Sequence, residues 1–315
     1  MSAYLEARGL RVSYRTGSAF AARLRGRPVP VMHALDGVDL MVERGSAVGI
    51  VGESGCGKST LARAIVGLVE LDEGSIVLDG EPLARHRTKA ATRRIQMVFQ
   101  DPSASLNPSM TIGQTLGELL KVHRMVPARE VPQRAAELLE LVELPVSLLG
   151  AYPRRLSGGQ RQRVGIARAL ALEPEVLIAD ESVAALDVSV QAAILNLLER
   201  LRAELGLTLL FISHDLAVVR HLTERVVVMT AGRIVEDRPT EELFRDPHHP
   251  YTATLLAAAP RMGAAWAAPT PPAGGLAVPP ANGLAVPPAD CLAVPGGTDR
   301  AGGAAPEPLA RMVSR

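Results

Sequence analysis

The chain has 315 residues, with 34 Lys plus Arg against 33 Asp plus Glu and 47% apolar content. This length holds one large or two modest domains with a real core, and a net charge of +1 gives no electrostatic reason to expect nucleic acid as a partner. Cys56 and Cys291 offer no metal-ligand spacing and no expected disulfide. No apolar run reaches the ~18 residues of a membrane span, and the N-terminal MSAYLEARGLRVSY lacks the apolar centre of a signal peptide, so a reducing, cytosolic setting is expected.

Leu5–Tyr14 and Ala34–Val42 carry strand patterns, the second alternating as Leu35, Val38, Leu40 and Val42. Between them, residues 15–30 are basic and turn-rich, with Arg15, Arg23, Arg25 and Arg27. They read as a solvated loop, with contact to anionic lipid as the alternative. Ala47–Val51 has the length and composition of a buried parallel strand; it ends at Gly52, and a helix opens near Gly57. The intervening GESGCGKS fits a phosphate loop, a glycine followed by four residues and then Gly-Lys-Ser. Its glycines let successive N–H groups turn inward on an anion, and the positive end of the next helix adds to that field. In such a loop Gly52, Glu53, Ser54, Gly55, Cys56, Gly57, Lys58, Ser59 and Thr60 surround the phosphates. Lys58 would reach the β- and γ-phosphates, and the Ser59 hydroxyl would ligate Mg2+.

Residues 74–82 predict a strand ending in a turn, and the run RRIQMVFQ at 93–100 another strand, terminating at Gln100. Residues 112–122 and 131–144 space leucines helically and are interrupted by Pro127, Pro132 and Pro145, which predicts a small helical subdomain over about 101–170. Residues 156–172 read as a loop and a helix opening at Ser157-Gly158-Gly159. Residues 176–179 form a short strand running into Asp180-Glu181. Asp187 is expected to cap a helix whose apolar face is Ile194, Leu197, Leu198, Leu201 and Leu205. A further strand at 209–213 ends at His214, residues 225–236 predict a hairpin turning at Ala231-Gly232, and 240–244 and 251–259 are short helices. From residue 261 an eight-residue repeat (GLAVPPAN, GLAVPPAD, CLAVPGGT) in an Ala/Pro/Gly background predicts a disordered tail to 315 with no assigned function.

Four of these strands end at a group able to act on a nucleotide: Gly52 and its loop, Gln100, Asp180-Glu181, and His214. A lone histidine after a strand reads as a turn residue. All four together, on parallel neighbours, would meet at one sheet edge, where open α/β sheets bind ligands. There Asp180 would hold Mg2+ through a water and Glu181 would act as general base. Gln100 could touch metal and water, and His214 could contact the γ-phosphate.

The motifs together resemble the ATP-binding subunit of an ABC transporter. GESGCGKST at 52–60 resembles the Walker A motif, LSGGQRQR at 156–163 the signature motif, VLIADE at 176–181 Walker B, and ALD at 185–187 the D-loop with Asp187. Gln100 resembles the Q-loop glutamine and His214 the switch histidine. Tyr14 stands where the family stacks an aromatic on adenine, with plain packing as the other reading. FQDPSASLNPSMTIG at 99–113 and DPHHPYTATLLAAAP at 246–260 are similar to segments of the oligopeptide and dipeptide importer branch, as is the basic loop; nickel and glutathione importers share that branch.

The resemblance implies a P-loop NTPase fold: a mixed central sheet with flanking helices, an antiparallel β subdomain and a helical signature subdomain. The cassette would span 1–245, the importer-type motif 246–260 and the tail 261–315. It implies ATP hydrolysis with ATP and Mg2+, and two cassettes sandwiching two nucleotides. Ser157, Gly158, Gly159 and Gln160 of one would act on the ATP of the other. It further implies a second, different ATPase subunit, two membrane permeases, an extracytoplasmic solute-binding protein acting indirectly, and a place on the cytoplasmic face of the membrane. Two departures stand out. Ser182-Val183-Ala184 replaces the family's usual Pro-Thr-Ser, and there is no C-terminal cysteine cluster, so no iron–sulfur centre is expected. The alternatives are a soluble ABC-type ATPase, which usually shows tandem cassettes or a coiled-coil insert absent here, and a cassette that holds ATP but hardly hydrolyses it.

Overall fold

The apolar runs become the strands of two sheets in a computed structural model that describes residues 3–15, 31–101, 106–182 and 187–258. The larger sheet contains β3 (Ala47–Val51), β6 (Ile95–Val98), β7 (Val176–Asp180), β8 (Thr208–Ile212), β9 (Arg225–Thr230) and β10 (Arg233–Pro239), in the order β10-β9-β3-β8-β7-β6. Five strands are parallel neighbours and β10 pairs antiparallel to β9, which makes the sheet mixed. Val48, Leu210 and Ile178 lie in register across β3, β8 and β7.

Every residue of β3, β7 and β8 is buried, as expected for strands covered on both faces. Alternate side chains enter different cores. Val48, Ile50, Val176, Ile178, Leu210 and Ile212 join α1 (Lys58–Val66) and the smaller sheet. Leu177, Ala179, Leu209 and Phe211 pack against helices on the opposite face. Those helices are α3 (Ile112–Val122), α4 (Val131–Leu141), α5 (Gly158–Leu170), α6 (Val188–Leu205) and α7 (Leu216–Leu222). The smaller sheet is antiparallel, with β1 (Leu5–Arg15), β2 (Val31–Val42), β4 (Glu73–Leu78) and β5 (Glu81–Pro82) in the order β2-β1-β4-β5. The chain closes the described part with α8 (Thr240–Arg245) and α9 (Pro250–Ala258).

Several local expectations need correction. Arg93 and Arg94 belong to a short helix α2 (Lys89–Arg94), because Thr88 caps it by accepting from the Ala91 amide; the strand starts only at Ile95. Residues 74–82 form a two-strand hairpin across Asp79-Gly80 rather than a single strand. Helix α4 stops at Leu141, and Glu143 turns left-handed at φ 58°. Asp187 occupies the N-cap position of α6 but makes no capping hydrogen bond through its side chain. Ile194, Leu197, Leu198 and Leu201 of α6 are buried, whereas Leu205 is exposed at the helix end. The basic loop with Arg23, Arg25 and Arg27, the replaced residues Val183 and Ala184, and the repeat-bearing tail with Cys291 lie outside the described residues. No helix among the described residues is long and apolar enough to cross a membrane.

The loop between β3 and α1 is shaped by backbone that only glycine adopts cheaply. Gly57, at φ 110°, caps α1, and a Cβ there would stand 2.4 Å from the Ala34 carbonyl oxygen. Gly57→Ala is therefore expected to cost about 1–3 kcal/mol of folding stability. A lower urea midpoint with an unchanged slope would report it.

Candidate functional site

Because β3, β8, β7 and β6 are adjacent and parallel, their carboxyl ends share one rim. Gly52 leaves β3, Gln100 follows β6, Asp180 ends β7 with Glu181 directly after it, and His214 follows β8. The side chains meet there. Gln100 Nε2 donates to Glu181 Oε2 at 2.7 Å, and His214 Nδ1 stands 3.3 Å from Glu181 Oε1. Glu181 is held from its backbone as well, its N–H donating to the Ile212 carbonyl at 2.9 Å. It adopts φ 43°, left-handed backbone that costs a non-glycine residue free energy.

Beside it, Lys58 opens α1 and is 5% exposed. Its ammonium donates to the carbonyls of Gly52 and Glu53, both at 2.8 Å, and lies 3.8 Å from Cys56 Sγ. Ser59 Oγ donates to Asp180 Oδ1 at 3.1 Å. Burial pushes the Asp180 carboxyl above its ordinary range, and the Ser59 hydrogen bond works against that shift. Within the loop, Glu53, Ser54 and Gly55 are exposed and Cys56 is buried, while Ser59 and Thr60 are half-buried. A Ser hydroxyl and a carboxylate are the hard oxygen donors that suit Mg2+, an ion usually held by one or two such groups, waters and substrate phosphates. The described residues contain no group of three or more His, Cys, Asp or Glu able to form a metal cage by themselves. The donor set thus fits an ion brought with a phosphate.

Elsewhere, Ser157 and Gln160 close a capping box at the start of α5. Ser157 Oγ accepts from the Gln160 amide at 3.2 Å, and Gln160 Oε1 accepts from the Ser157 amide at 3.0 Å. Each side chain accepts from the other residue's backbone N–H, and the first-turn amides of Gly158 and Gly159 have no intrahelical acceptors. Asp187 is exposed. Tyr14 lies on β1 opposite Met32 and is 38% exposed. Sequence reading missed two supports of the phosphate loop. Gly232 N–H, in the β9–β10 turn, donates to the Cys56 carbonyl at 2.9 Å, and Glu53 N–H donates to the Tyr251 hydroxyl at 3.0 Å. Only the HPYT segment around Tyr251 carried a signal, and it gave no partner.

Comparison with known proteins bears on the same residues. A family model described as "ABC transporter" matches residues 35–184, and one described as "Oligopeptide/dipeptide transporter, C-terminal region" matches residues 235–280. The chain is 51% identical over 235 residues to a probable peptide ABC transporter ATP-binding protein of Sinorhizobium fredii, covering 74% of this chain and 67% of that one. It is 48% identical over 238 residues to the oligopeptide transport ATP-binding protein OppF of Escherichia coli, covering 74% and 71%. Among solved structures, cbiO1 of Clostridium perfringens, part of the ABC transporter complex cbiONQ, superposes with a TM-score of 0.66 at 30% identity over 78% of this chain and 92% of that one. The ATP-binding cassette MJ0796, in a dimeric post-hydrolysis state bound to ADP and Pi, gives a TM-score of 0.65 at 30% identity over 75% and 98%.

Asp180 carries a cost that can be measured. A carboxyl raised in the folded state loses stability as pH climbs through the ordinary carboxylate range to the raised value, and the loss persists above it. Asp180→Asn removes that loss. Without magnesium nucleotide it should melt higher than the parent by about 2–4 °C at neutral pH, the shift that ~1 kcal/mol produces in a domain of this size. The gain should vanish once the pH falls below the ordinary carboxylate range, while hydrolysis is lost. Calorimetric melts across pH check the sign.

Proposed function

The chain belongs to the ABC transporter family of ATP-binding subunits, and from that premise we propose that it hydrolyses ATP to drive peptide import. The carrying observation is the Gln100–Glu181–His214 cluster on the same rim as Lys58 and the Ser59–Asp180 pair. The phosphate loop binds the triphosphate through its amides and Lys58. Ser59 and Asp180, the latter through a water, would hold Mg2+, which would supply positive charge against the phosphates. Glu181 accepts a proton from the attacking water as the water oxygen bonds to the γ-phosphorus and the bond to the ADP oxygen breaks. Gln100 and His214 each already stand on one oxygen of Glu181, which supports a role in fixing its direction; in this reading His214 also contacts the γ-phosphate. Tyr14 stacks on adenine.

The family's two-cassette arrangement makes Ser157, Gly158, Gly159 and Gln160 the cover of a second subunit's nucleotide, with Asp187 facing that junction. Helices within 101–150 then dock a membrane permease, one of two, at the cytoplasmic face of the membrane. The second cassette is a different chain, and an extracytoplasmic binding protein delivers the cargo. The oligopeptide/dipeptide C-terminal region and the names of the relatives support peptide over nickel or glutathione.

Glu181→Gln, assembled with its partners, should still bind magnesium ATP and slow turnover by about 10²–10⁴-fold, the range for a lost general base, accumulating a closed, ATP-bound pair. Turnover at the parental rate would rule out the assignment of Glu181. Lys58→Ala should weaken ATP binding by ~10–100-fold, as loss of a charged hydrogen-bond donor does, measured by titration calorimetry.

A further inference from the structure

Tyr251 sits in the first turn of α9, 198 positions away from Glu53, yet its hydroxyl accepts the Glu53 N–H at 3.0 Å. That N–H belongs to the peptide unit joining Gly52 to Glu53. The carbonyl of the same unit, Gly52 O, accepts Lys58 Nζ at 2.8 Å. In a planar trans peptide the N–H and C=O point in opposite directions on one rigid plate. Phenol, peptide plate and ammonium therefore form a single line of contacts, in which turning the plate at one end moves the carbonyl that holds Lys58 at the other.

Tyr251 is itself fixed by structure outside the loop. Glu236 on β10 is 7% exposed and accepts from the amides of His248 and His249 at 2.9 and 3.0 Å. The Tyr251 amide donates to His249 Nδ1 at 3.2 Å. Burial disfavours the Glu236 carboxylate, but hydrogen bonding that includes these two amides outweighs it and holds the group below its ordinary range. The carboxylate is thus a charged anchor for the entry to α9. The turn preceding β10 grips the loop a second time, through Gly232 N–H on the Cys56 carbonyl.

We propose that Tyr251 is a positioning residue for Lys58: its hydroxyl orients the Gly52–Glu53 peptide and so places the ammonium that meets the nucleotide phosphates. The C-terminal segment from Glu236 to Tyr251 contributes to nucleotide affinity without touching the nucleotide. This rests on the reading of Lys58 as a phosphate ligand.

Tyr251→Phe in the full chain removes one oxygen and keeps the ring. The KM for magnesium ATP should rise about three- to tenfold, one hydrogen bond's worth, with kcat within about twofold, because Glu181, Gln100 and His214 are not in the line. The Glu53 amide should exchange with solvent about tenfold faster or more, while the amides of β3 keep their protection. A merely structural role would instead lower the melting temperature and loosen β3 and Glu53 together. An unchanged KM, an unchanged Glu53 exchange rate, or a loss confined to kcat would each overturn the proposal. The exchange measurement needs no nucleotide, so it separates this failure from failure of the phosphate-ligand reading, which would show as Lys58→Ala binding magnesium ADP as tightly as the parent.

Discussion

A buried ammonium held by uncharged acceptors is the constraint around which the rest of the molecule is arranged. Lys58 is almost inaccessible, and its hydrogen bonds run to two carbonyl oxygens and a thiol. Burying a charge without a full countercharge costs several kcal/mol, so the position persists only because the surrounding structure enforces it. The enforcement is specific. Lys58 lies at the first turn of a helix whose other buried residues, Leu61, Ala62, Ala64 and Ile65, are locked between two sheets. The loop before it is pinned at Glu53 and Cys56 from the C-terminal part of the chain. In the proposed role of Lys58, a phosphate would add to the negative charge that Asp180 already sets near the ammonium, and binding would offset part of this cost.

The double-faced core makes such a cost bearable. β3, β7 and β8 send alternate residues into separate hydrophobic clusters, and both clusters include long runs of fully buried Leu, Ile and Val. The rim inherits rigidity from this packing, since strands sealed on both faces cannot tilt without opening one core or the other. The antiparallel sheet is tied to the same rim by charge as well as by apolar contact. Arg233 pairs with Asp36 at 2.6 Å, and the Asp36 amide donates to the carbonyl of Gly232, the residue whose own amide holds Cys56. One turn therefore links the smaller sheet, the β9–β10 hairpin and the phosphate loop.

What could be read without coordinates follows the range of the interactions. The phosphate-loop motif and the Ser157–Gln160 start of α5 are written within a few residues and both were legible, because the Lys58 and capping-box hydrogen bonds close locally, whereas the loop's supports at Gly232 and Tyr251 do not. The identity of the strand-end groups was legible too, since each apolar run gives way to a glycine or a polar residue. The strand order was not, because nothing local decides that β8 lies between β3 and β7. Arg93 and Arg94 were misplaced because a single Thr88 cap outweighed the adjacent apolar run in deciding where the strand begins. Leu205 fits the apolar stripe of α6 by spacing, but it is the last residue of the helix and is exposed. Tyr251 was opaque for the opposite reason: its partner is 198 positions away.

Backbone strain gives an independent view of the same rim. Six non-glycine residues among those described have positive φ. Asp79 and Ala231 each precede a positive-φ glycine in a two-residue hairpin turn, where the twist of paired strands demands that conformation. Arg124, Glu143 and Glu173 lie just past the ends of α3, α4 and α5, where left-handed backbone satisfies the last helical carbonyls. Glu181 fits neither class. It follows a buried parallel strand, closes no hairpin and caps no helix, and its amide is tied to Ile212 on the neighbouring strand. The turn at this residue carries the chain off the sheet while leaving the carboxylate between Gln100 and His214. Three separate penalties, a buried ammonium, a carboxyl raised by burial and a strained acid, thus stand on one sheet rim, the first beyond β3 and the other two at the end of β7, and the chemistry proposed on a phosphate would account for all three together.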